Sequence, residues 1–250
     1  MKIDLHNKNI LVTGASNGIG KGIAEALGNS GAKIAIHYNS NQQKASELAR
    51  QIGNGSEVFQ ADLSDSNSCE KLFNDVISRF NRLDAIINNA GTLIMSPMES
   101  KNWVKDWDLT MATNLRAVGI LCRMAIQHFQ ANGGGRIINI ASRAAFRGDT
   151  PEFLAYAASK AGVVALSKSI ARGFGRDNIT CFTLAPGWVK TDMTKESIDK
   201  YGEHHILEGI ALNRLTEPKD IAPIVILLAS GLADHATGTT IDINAASYVR

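Results

Sequence analysis

The stretch Thr13-Gly14-Ala15-Ser16-Asn17-Gly18-Ile19-Gly20 follows the apolar run Asn9–Thr13 and leads directly into a helical pattern, Ile19–Ser30. Glycines permit a tight turn and a close approach of the backbone to a ligand. The helix N-terminus that follows offers unpaired N–H groups and a favourable dipole to phosphate. The spacing is GxxxGxG, which differs from the GxGxxG fingerprint. In the first βα unit, this turn predicts a dinucleotide site formed by Gly14, Ser16, Asn17, Gly18, Ile19 and Gly20.

Short apolar runs of strand type alternate with helical patterns along the rest of the chain. The other strand candidates are Lys33–Tyr38, Glu57–Asp62, Ala85–Asn88, Arg136–Ala141, Ile179–Ala185 and Thr239–Asn244. The other helix candidates are Gln42–Ile52, Ser66–Phe80, Met111–Asn132, Phe153–Phe174 and Pro218–Ala229. Several strands are nearly continuous hydrophobic runs, as expected where helices cover both faces of a parallel sheet. The pattern predicts an α/β fold: one Rossmann-type, doubly wound domain over residues 1–250, with a seven-stranded parallel sheet.

The segment Thr191–Asn213 interrupts this alternation. It is polar, contains His204 and His205, and follows the end of a strand. Ligands of such sheets bind outside the carboxyl ends of the strands, so we expect residues 191–213 to be a substrate-binding lid. Adjacent histidines point to different faces of a helix, and no Asp or Cys partner lies at ligand spacing. No metal site is therefore predicted.

Composition, charge and cysteine content narrow the class of protein. A chain of 250 residues with 44% hydrophobic and 20% charged residues is typical of a globular protein, and its net charge of +2 without a basic stripe gives no reason to expect nucleic acid. Cys69, Cys122 and Cys181 are widely spaced, which predicts no disulfide framework and fits a reducing compartment. The N-terminal segment lacks the apolar region of a signal peptide, and no uninterrupted apolar run approaches the ~20 residues that cross a bilayer. We therefore expect a cytoplasmic protein that does not bind membranes.

Tyr156 and Lys160 are four residues apart, so their side chains share one face of a helix. A phenol has an unperturbed pKa near ~10, and a fixed cation beside it favours the phenolate and lowers that pKa toward neutrality. Ser142, upstream in the chain, could hydrogen-bond an oxygen that alternates between carbonyl and alcohol. Because YxxxK also occurs by chance, the alternative is a tyrosine and a lysine on an ordinary amphipathic helix.

The end of the second predicted strand bears on the choice of dinucleotide. NAD sites usually place an acidic residue roughly 20 positions downstream of the glycine turn, where it binds the ribose 2′-hydroxyl. Here the region reads Tyr38-Asn39-Ser40-Asn41, without a carboxylate that would repel a 2′-phosphate. NADP(H) is therefore favoured and NAD(H) is the alternative. The predicted contacts at this end of the cofactor are Ser16, Tyr38, Asn39 and Ser40, with Lys44 as a further candidate.

With these motifs in this order, the whole chain resembles the short-chain dehydrogenase/reductase family in its short form. The glycine turn is similar to the TGxxxGxG cofactor turn of that family, and Asn88-Asn89-Ala90-Gly91 resembles its NNAG segment, which supports the sheet and borders the cofactor. Further cofactor contacts implied by the resemblance are Asp62, Leu63, Asn89, Ala90, Gly91, Tyr156, Lys160, Pro186, Gly187, Val189 and Thr191. The residues that match the catalytic tetrad are Asn114, Ser142, Tyr156 and Lys160.

The resemblance implies a mechanism and an assembly. Hydride would pass between the nicotinamide and a carbonyl or secondary alcohol, while Tyr156 acts as general acid or base. Lys160 would lower the pKa of that phenol and hold the nicotinamide ribose. Ser142 would position the carbonyl, and Asn114 would anchor a water molecule that relays protons. The family also implies a homotetramer or a homodimer.

The substrate is less constrained by the sequence. The nearest branch is that of 3-oxoacyl-[acyl-carrier-protein] reductases, but Gln130–Arg136 and Gly175–Asn178, where basic residues would meet an acidic carrier protein, hold one arginine each. A small carbonyl or alcohol is therefore the main hypothesis, with a 3-oxoacyl thioester as the alternative. Arg143 and Arg147 beside Ser142 could bind an anionic substrate or be solvated, which is the commoner environment of arginine. A non-catalytic dinucleotide sensor is the alternative of another class, although it would not need the whole tetrad.

Overall fold

The computed structural model describes residues 3–191, 194 and 202–250. Its strands are β1 (Asn9–Val12), β2 (Lys33–Tyr38), β3 (Glu57–Gln60), β4 (Ala85–Asn88), β5 (Gly135–Ile140), β6 (Ile179–Pro186) and β7 (Thr240–Ile243). They form one seven-stranded sheet in the order β3-β2-β1-β4-β5-β6-β7, and every pair is parallel. The strand order reverses beside β1, as in doubly wound folds. The predicted Rossmann-type fold is confirmed.

The helices that connect the strands match the sequence prediction closely except before Met111, at Ala144–Arg147 and at Glu203–Leu207, where the sequence predicts no helix. They are α1 (Gly18–Asn29), α2 (Gln42–Ile52), α3 (Ser66–Phe80), α4 (Trp103–Met111), α5 (Ala117–Ala131), α6 (Ala144–Arg147), α7 (Leu154–Phe174), α8 (Glu203–Leu207) and α9 (Pro218–Ser230). The sequence predicts a helix from Met111, but the helical segment begins at Trp103. Val104 and Leu109 are exposed apolar residues of α4, so this helix lacks the apolar periodicity that marks a helix in the sequence.

A π-helical segment, Ala112–Arg116, joins α4 to α5. The combined helix Trp103–Ala131 is long and apolar enough to cross a membrane by length and composition alone, and no other helix in the described residues passes that test. Half of its most apolar stretch is buried inside the protein, where α5 packs against α3 and β5. The core helix of a soluble protein passes the same test, so the result is only weak evidence for a membrane span.

Two hydrophobic clusters cover the two faces of the sheet. Successive strand residues point to opposite faces, so Leu11 belongs to the cluster under α3, α5 and α7, while Ile10 belongs to the cluster under α1, α2 and α9. Cys69, Cys122 and Cys181 are buried, unpaired thiols of the first cluster. The two layers of helices hold the strands so that the loops at their carboxyl ends converge on one edge of the sheet.

The predicted lid, Thr191–Asn213, lies partly outside the described residues. Its described part includes α8, from which Ile206 packs with Ile210 and Leu215 in a small separate cluster against Trp188. His204 is exposed on α8, and its ring lies 3.5 Å from the Glu208 carboxylate. Within the described ranges, no group of three or more His, Cys, Asp or Glu side chains is arranged to hold a metal ion.

Candidate active site

A cleft of about 800 Å³ lies at the carboxyl ends of the first six strands. Most of the residues that the sequence singles out line it: Gly14, Ser16, Asn17, Gly18, Ile19, Asn39, Ser40, Asp62, Leu63, Asn89, Ala90, Gly91, Ser142, Tyr156, Lys160, Pro186, Gly187, Val189 and Thr191. Three predicted site residues are not among the lining residues: Gly20, Tyr38 and Asn114. The glycine turn, the end of β2 and the tetrad region therefore share one continuous cavity.

Glycines shape the turn after β1. Gly14 and Gly18 have φ angles of +62° and +53°, in the left-handed region that favours glycine. A Cβ atom on Gly20 would lie 2.3 Å from the Gly14 carbonyl oxygen and 2.5 Å from Asn89 Nδ2. Gly20 thus has a packing role, because its missing side chain lets α1 lie against the turn, and its cofactor contact stays a prediction.

The N-terminus of α1 offers donors to a ligand. Asn17 precedes the helix, and its side chain makes no capping hydrogen bond. The N–H groups of the first helical turn have no intrahelical acceptor, and Gly18 and Ile19 of that turn line the cleft. A helix N-terminus that faces a cleft and follows a turn with glycines of positive φ is suited to bind the pyrophosphate of a dinucleotide.

His37 holds the glycine turn, and the sequence reasoning missed it. The backbone N–H of Gly14 donates to His37 Nδ1 at 2.9 Å, and His37 Nε2 lies 3.1 Å from the Ala61 carbonyl oxygen. A neutral ring with its proton on Nε2 satisfies both contacts. Burial lowers the pKa of His37 to about 4, which favours that neutral form. The period-two alternation of β2 could have identified this residue, because it assigns His37 and Tyr38 to opposite faces.

Tyr38 is placed differently from the sequence prediction. Its side chain is 7% exposed and packs in the cluster under α1, α2 and α9. The Tyr38 side chain therefore lies in the core instead of making the predicted cofactor contact. The β2 side chain that lines the cleft is His37. The physical reason is the pleat of the strand, which directs neighbouring side chains to opposite sides.

The segment after β4 is bonded to the turn after β1. Asn89 Nδ2 donates to the carbonyl oxygens of Thr13 and Gly14 at 2.9 and 3.2 Å. Thr13 Oγ1 accepts hydrogen bonds from the backbone N–H groups of Asn89 and Ala90 at 2.9 and 3.0 Å. Asn89 thus supports the turn with its side chain while it borders the cleft. Asn88 is buried and donates instead to Asn139 Oδ1 at 2.8 Å.

The end of the cleft near β2 and β3 is lined by short polar side chains. Asn39 and Ser40 are exposed there, and the Lys44 side chain is not among the lining groups. Asp62 Oδ1 accepts hydrogen bonds from the backbone N–H and the hydroxyl of Ser64 at 2.9 and 2.8 Å. The side chains that follow β2 are neutral, so they do not oppose a phosphate on the ribose.

Tyr156 and Lys160 lie side by side on α7, as their spacing predicts. Lys160 Nζ is 5.7 Å from the centre of the Tyr156 ring and donates to the Ile140 carbonyl oxygen at 2.9 Å. Burial lowers the pKa of Lys160 to about 8. The pKa of Tyr156 is raised, chiefly by burial and further by the charge of Asp149, while a hydrogen bond with Ser142 lowers it. Burial thus outweighs the effects that lower the phenol pKa, and the lowering of that pKa by Lys160 stays a prediction.

Asn114 stands behind the cleft and connects two of its walls. Its Oδ1 accepts from the Thr92 backbone N–H at 2.8 Å, while its Nδ2 donates to the Thr92 carbonyl oxygen at 2.9 Å and to Ser159 Oγ at 3.2 Å. The Ser159 hydroxyl donates in turn to the Tyr156 carbonyl oxygen at 2.7 Å. Asn114 lies in the π-helical segment, a local departure from α geometry that often marks functional sites.

The segment after β6 closes over the N-terminus of α1. A Cβ atom on Gly18 would lie 3.3 Å from Thr191 Cγ2, so the threonine sits against the glycine turn. Its hydroxyl donates to the Val189 carbonyl oxygen at 3.3 Å, and the Gly187 N–H donates to the Ile243 carbonyl oxygen at 3.0 Å. These contacts place Pro186–Thr191 against the N-terminus of α1, while the backbone N–H of Arg143, next to Ser142, donates to the Pro186 carbonyl oxygen at 3.0 Å.

The two arginines after Ser142 differ in their environments. The Arg147 side chain is 38% exposed, and its Nη2 lies 3.6 Å from Asp149 Oδ1. Arg143 is only 9% exposed, and its guanidinium carbon is 5.7 Å from the centre of the Trp188 ring. The expectation of a solvated side chain is thus right for Arg147 and wrong for Arg143.

Comparisons with known proteins cover nearly the whole chain. A family model described as "Enoyl-(Acyl carrier protein) reductase" matches residues 14–245. A 3-oxoacyl-[acyl-carrier-protein] reductase from Staphylococcus aureus is 36% identical over 249 residues, which cover 97% of this chain and 98% of that protein. An uncharacterized short-chain type dehydrogenase/reductase from Sinorhizobium fredii is 34% identical over 255 residues, with 96% of this chain and 97% of that protein covered.

Solved structures have the same fold. A dehydrogenase/reductase from Sinorhizobium meliloti superimposes with a TM-score of 0.91 at 32% identity, over 99% of this chain and 98% of that one. A proposed NAD(P)-dependent gluconate 5-dehydrogenase from Beutenbergia cavernae, crystallised with NADP, gives a TM-score of 0.91 at 29% identity, over 98% of both chains.

Proposed function

Because this chain belongs to the short-chain dehydrogenase/reductase family, it is a nicotinamide-dependent oxidoreductase, and we propose that Asn114, Ser142, Tyr156 and Lys160 are its catalytic group. The reaction is hydride transfer between the nicotinamide and a carbonyl or secondary alcohol. The observation that carries the proposal is the position of Tyr156, which is half-buried in the cleft beside Lys160 and near enough to Ser142 for the serine to lower its pKa.

The side chains of the cleft suit proton transfer to a reacting oxygen. The dinucleotide supplies the hydride when bound. Because burial raises the pKa of Tyr156, the phenol keeps its proton at neutral pH and is ready to donate it to the oxygen of a carbonyl that is being reduced. Ser142 would hydrogen-bond the same oxygen and hold it in line with the phenol. In alcohol oxidation the phenolate would take the proton back.

Lys160 and Asn114 have supporting roles in this proposal. Lys160 has a pKa of about 8 and is largely a cation at neutral pH. One of its N–H groups is bonded to Ile140, which leaves two for the ribose hydroxyls of the cofactor. Asn114 is bonded to Thr92 and Ser159, which supports a positioning role for its side chain. The water relay that the family implies stays a proposal for this residue.

Replacement of Tyr156 by Phe tests the assignment. The variant retains the ring and loses the exchangeable proton, so kcat should fall about 10²- to 10⁴-fold while the cofactor dissociation constant stays close to the wild-type value. Steady-state absorbance of NADPH and fluorescence titration measure the two quantities. A Phe variant with wild-type turnover would exclude Tyr156 as the acid. No cofactor oxidation by the wild type with any ketone, thioester or sugar would favour the dinucleotide sensor.

We propose that the cofactor is NADP(H) rather than NAD(H). The neutral side chains of Ser16, Asn39 and Ser40 support the proposal, as does the NADP in the Beutenbergia cavernae structure. The wild type should bind NADPH about 10-fold more tightly than NADH, since each hydrogen bond to a charged group contributes ~1.5–3 kcal/mol. Asn39→Asp should reverse that preference through repulsion of the 2′-phosphate. Asn102→Asp adds the same charge at the start of α4 and should leave it unchanged; an unaltered ratio in Asn39→Asp would contradict the assignment.

We propose a small carbonyl or alcohol as the substrate, with 3-oxoacyl thioester reduction as the second candidate. The names of the 36% identical relatives favour the second. The surface charges favour the first. Arg136 is bonded to Asp234 at 2.6 Å with 18% of its side chain exposed, and Arg176 stands beside the acid Asp177. Such a surface offers little to an acidic carrier protein. Turnover of a free small ketone together with failure on carrier-bound 3-oxoacyl chains would support the first.

We also propose a cytoplasmic homotetramer. Buried, unpaired cysteines fit a reducing compartment. Several apolar side chains are exposed on α4 and the segments beside it, which is typical of a surface that another subunit covers. They are Met95, Met98, Val104 and Leu154.

A further inference from the structure

The catalytic end of the cleft contains an arginine without an acidic partner. Arg143 directly follows Ser142 and lines the cleft, yet only 9% of the residue is exposed. In the part of the chain that the structure describes, its guanidinium has no hydrogen bond and no carboxylate within 4.0 Å. Buried arginines are almost always paired, because an unpaired buried charge is costly.

The neighbours of Arg143 do not supply the missing negative charge. Asp149 accepts from the Thr150 backbone N–H at 3.0 Å and lies 3.6 Å from Arg147 Nη2. Trp188 is uncharged, and its ring centre at 5.7 Å is near the outer limit of ~6 Å for a cation–π contact. Burial and the positive charge of Arg147 lower the pKa of Arg143 to about 10, which the charge of Asp149 only partly offsets.

We propose that Arg143 binds an anionic group of the substrate, a carboxylate or phosphate, so that the enzyme acts on small oxo acids, oxo phosphates or the corresponding alcohols. The planar guanidinium offers two parallel N–H donors that match either group. Because Arg143 follows Ser142 directly, a short substrate can place its carbonyl at Ser142 and its anion at Arg143. The inference rests on the proposed function for the position of the reacting carbonyl.

The other charges at this end of the cleft point the same way. Arg147 and Lys160 also line it, and among the described residues Asp149 is the one carboxylate at this end, while Asp62 lines the far end near β3. Such a surplus of positive charge attracts anions and raises their local concentration. The reacting 3-oxo thioester of a carrier-bound chain is uncharged and would leave Arg143 without a partner.

Binding measurements without turnover test the proposal. The wild type is saturated with the reduced cofactor, which leaves an alcohol no hydride acceptor, and is titrated calorimetrically with pairs of anionic and uncharged alcohols. The pairs are 3-hydroxybutanoate with its methyl ester, lactate with methyl lactate, and glycerol 3-phosphate with glycerol. We expect at least one anion to bind about 10- to 100-fold more tightly than its uncharged partner, and the better pair identifies carboxylate or phosphate.

Variants identify the residue responsible. Arg143→Gln should abolish the preference for the anion. Arg143→Lys keeps the positive charge but lacks the two parallel N–H donors, so it should retain part of that preference. Arg172→Gln removes an exposed arginine from α7 and should behave as the wild type. Equal binding of every pair by the wild type, or a preference that survives in Arg143→Gln, would overturn the proposal. The wild-type comparison stands even if a variant fails to fold, and turnover by Tyr156→Phe would count against the proposed function alone.

Discussion

A buried neutral histidine makes the stability of the turn region depend on pH. The pKa of His37 is about 4 in the folded chain, against the ordinary histidine value of 6.5. The unfolded chain therefore takes up a proton below pH ~6.5 that the folded chain accepts only near pH 4. Stability is complete above the higher pKa and declines as the pH falls between the two values, by about 3 kcal/mol in all and by about 2 kcal/mol at pH 5.

Urea unfolding at pH 7.5 and pH 5 measures this dependence. His37→Asn should be less stable than the wild type at pH 7.5, because Gly14 and Ala61 lose their partner. Its stability should also change less between the two pH values. His235→Asn removes an exposed histidine and should keep the wild-type difference. An equal pH difference in His37→Asn would show that other groups cause it.

Single residues were predictable where a local pattern defines them. The glycine turn and the pair Tyr156 and Lys160 are local, because a turn or one helical repeat decides their geometry. His37 and Arg143 were not predictable in the same way. Burial lowers the pKa of His37, and the burial of Arg143 depends on the segment after β6, so both properties arise only when distant segments pack.

At the level of elements, a buried chain of hydrogen bonds joins three of them. Asn88 Nδ2 of β4 donates to Asn139 Oδ1 of β5 at 2.8 Å, and Asn139 Nδ2 donates to Ser167 Oγ of α7 at 2.8 Å. The Ser167 hydroxyl donates in turn to the Val163 carbonyl oxygen at 2.7 Å. Because these hydrogen-bonded side chains are buried away from water, the loss of one of them leaves a donor that solvent cannot satisfy.

Two serines on α7 provide a matched comparison. Ser167→Ala should lower the free energy of unfolding by about 1–3 kcal/mol, because Asn139 Nδ2 loses its oxygen acceptor inside the core and keeps only the weak acceptor Cys181 Sγ at 3.7 Å. Ser169 makes the same type of bond, to the Ala165 carbonyl oxygen at 3.1 Å, but is exposed. Ser169→Ala should change stability by less than about 0.5 kcal/mol. Urea unfolding compares the two; equal losses would mean that the network adds nothing beyond a helix-surface bond.

Helices and strands were predictable where their inner faces are apolar, as in α3, whose bounds agree at both ends. The helix before Met111 was not, because the exposed apolar residues Val104 and Leu109 disturb the periodicity. The π-helical turn that holds Asn114 was also beyond the sequence. One extra residue in a helix leaves no compositional mark, and only the packing of α4 and α5 on different neighbours requires it.

For the whole molecule, the proposed tetramer predicts a mass four times that of the 26.9 kDa chain. Light scattering after size-exclusion chromatography measures it. Val104 is 65% exposed on α4, and Val104→Asp should shift the mass to smaller species because a charge would be buried at the contact. Leu232→Asp alters a side chain exposed to a similar extent, at 62%, outside that surface and should leave the mass unchanged. A monomeric wild type would contradict the assembly.

The parallel sheet was predictable from the alternation of strands and helices, and so was the edge at which the cleft forms. The burial of side chains within the cleft was not, because it depends on the angles at which six loops leave the sheet. The predicted lid illustrates the limit. Ile206 packs toward Leu215 and Trp188, a contact between segments that no local pattern relates.

The reactivity of the three cysteines reports on only one of the two hydrophobic clusters that cover the sheet. Burial raises the thiol pKa to about 11 for Cys69 and about 12 for Cys122, and raises that of Cys181 as well. Alkylating reagents attack thiolates, so each sulfur is unreactive until the protein opens around it. All three lie in the cluster under α3, α5 and α7, and the cluster under α1, α2 and α9 contains none. The rate of alkylation therefore measures how often the first cluster opens. A cysteine introduced at Val225 would allow the same measurement for the second cluster.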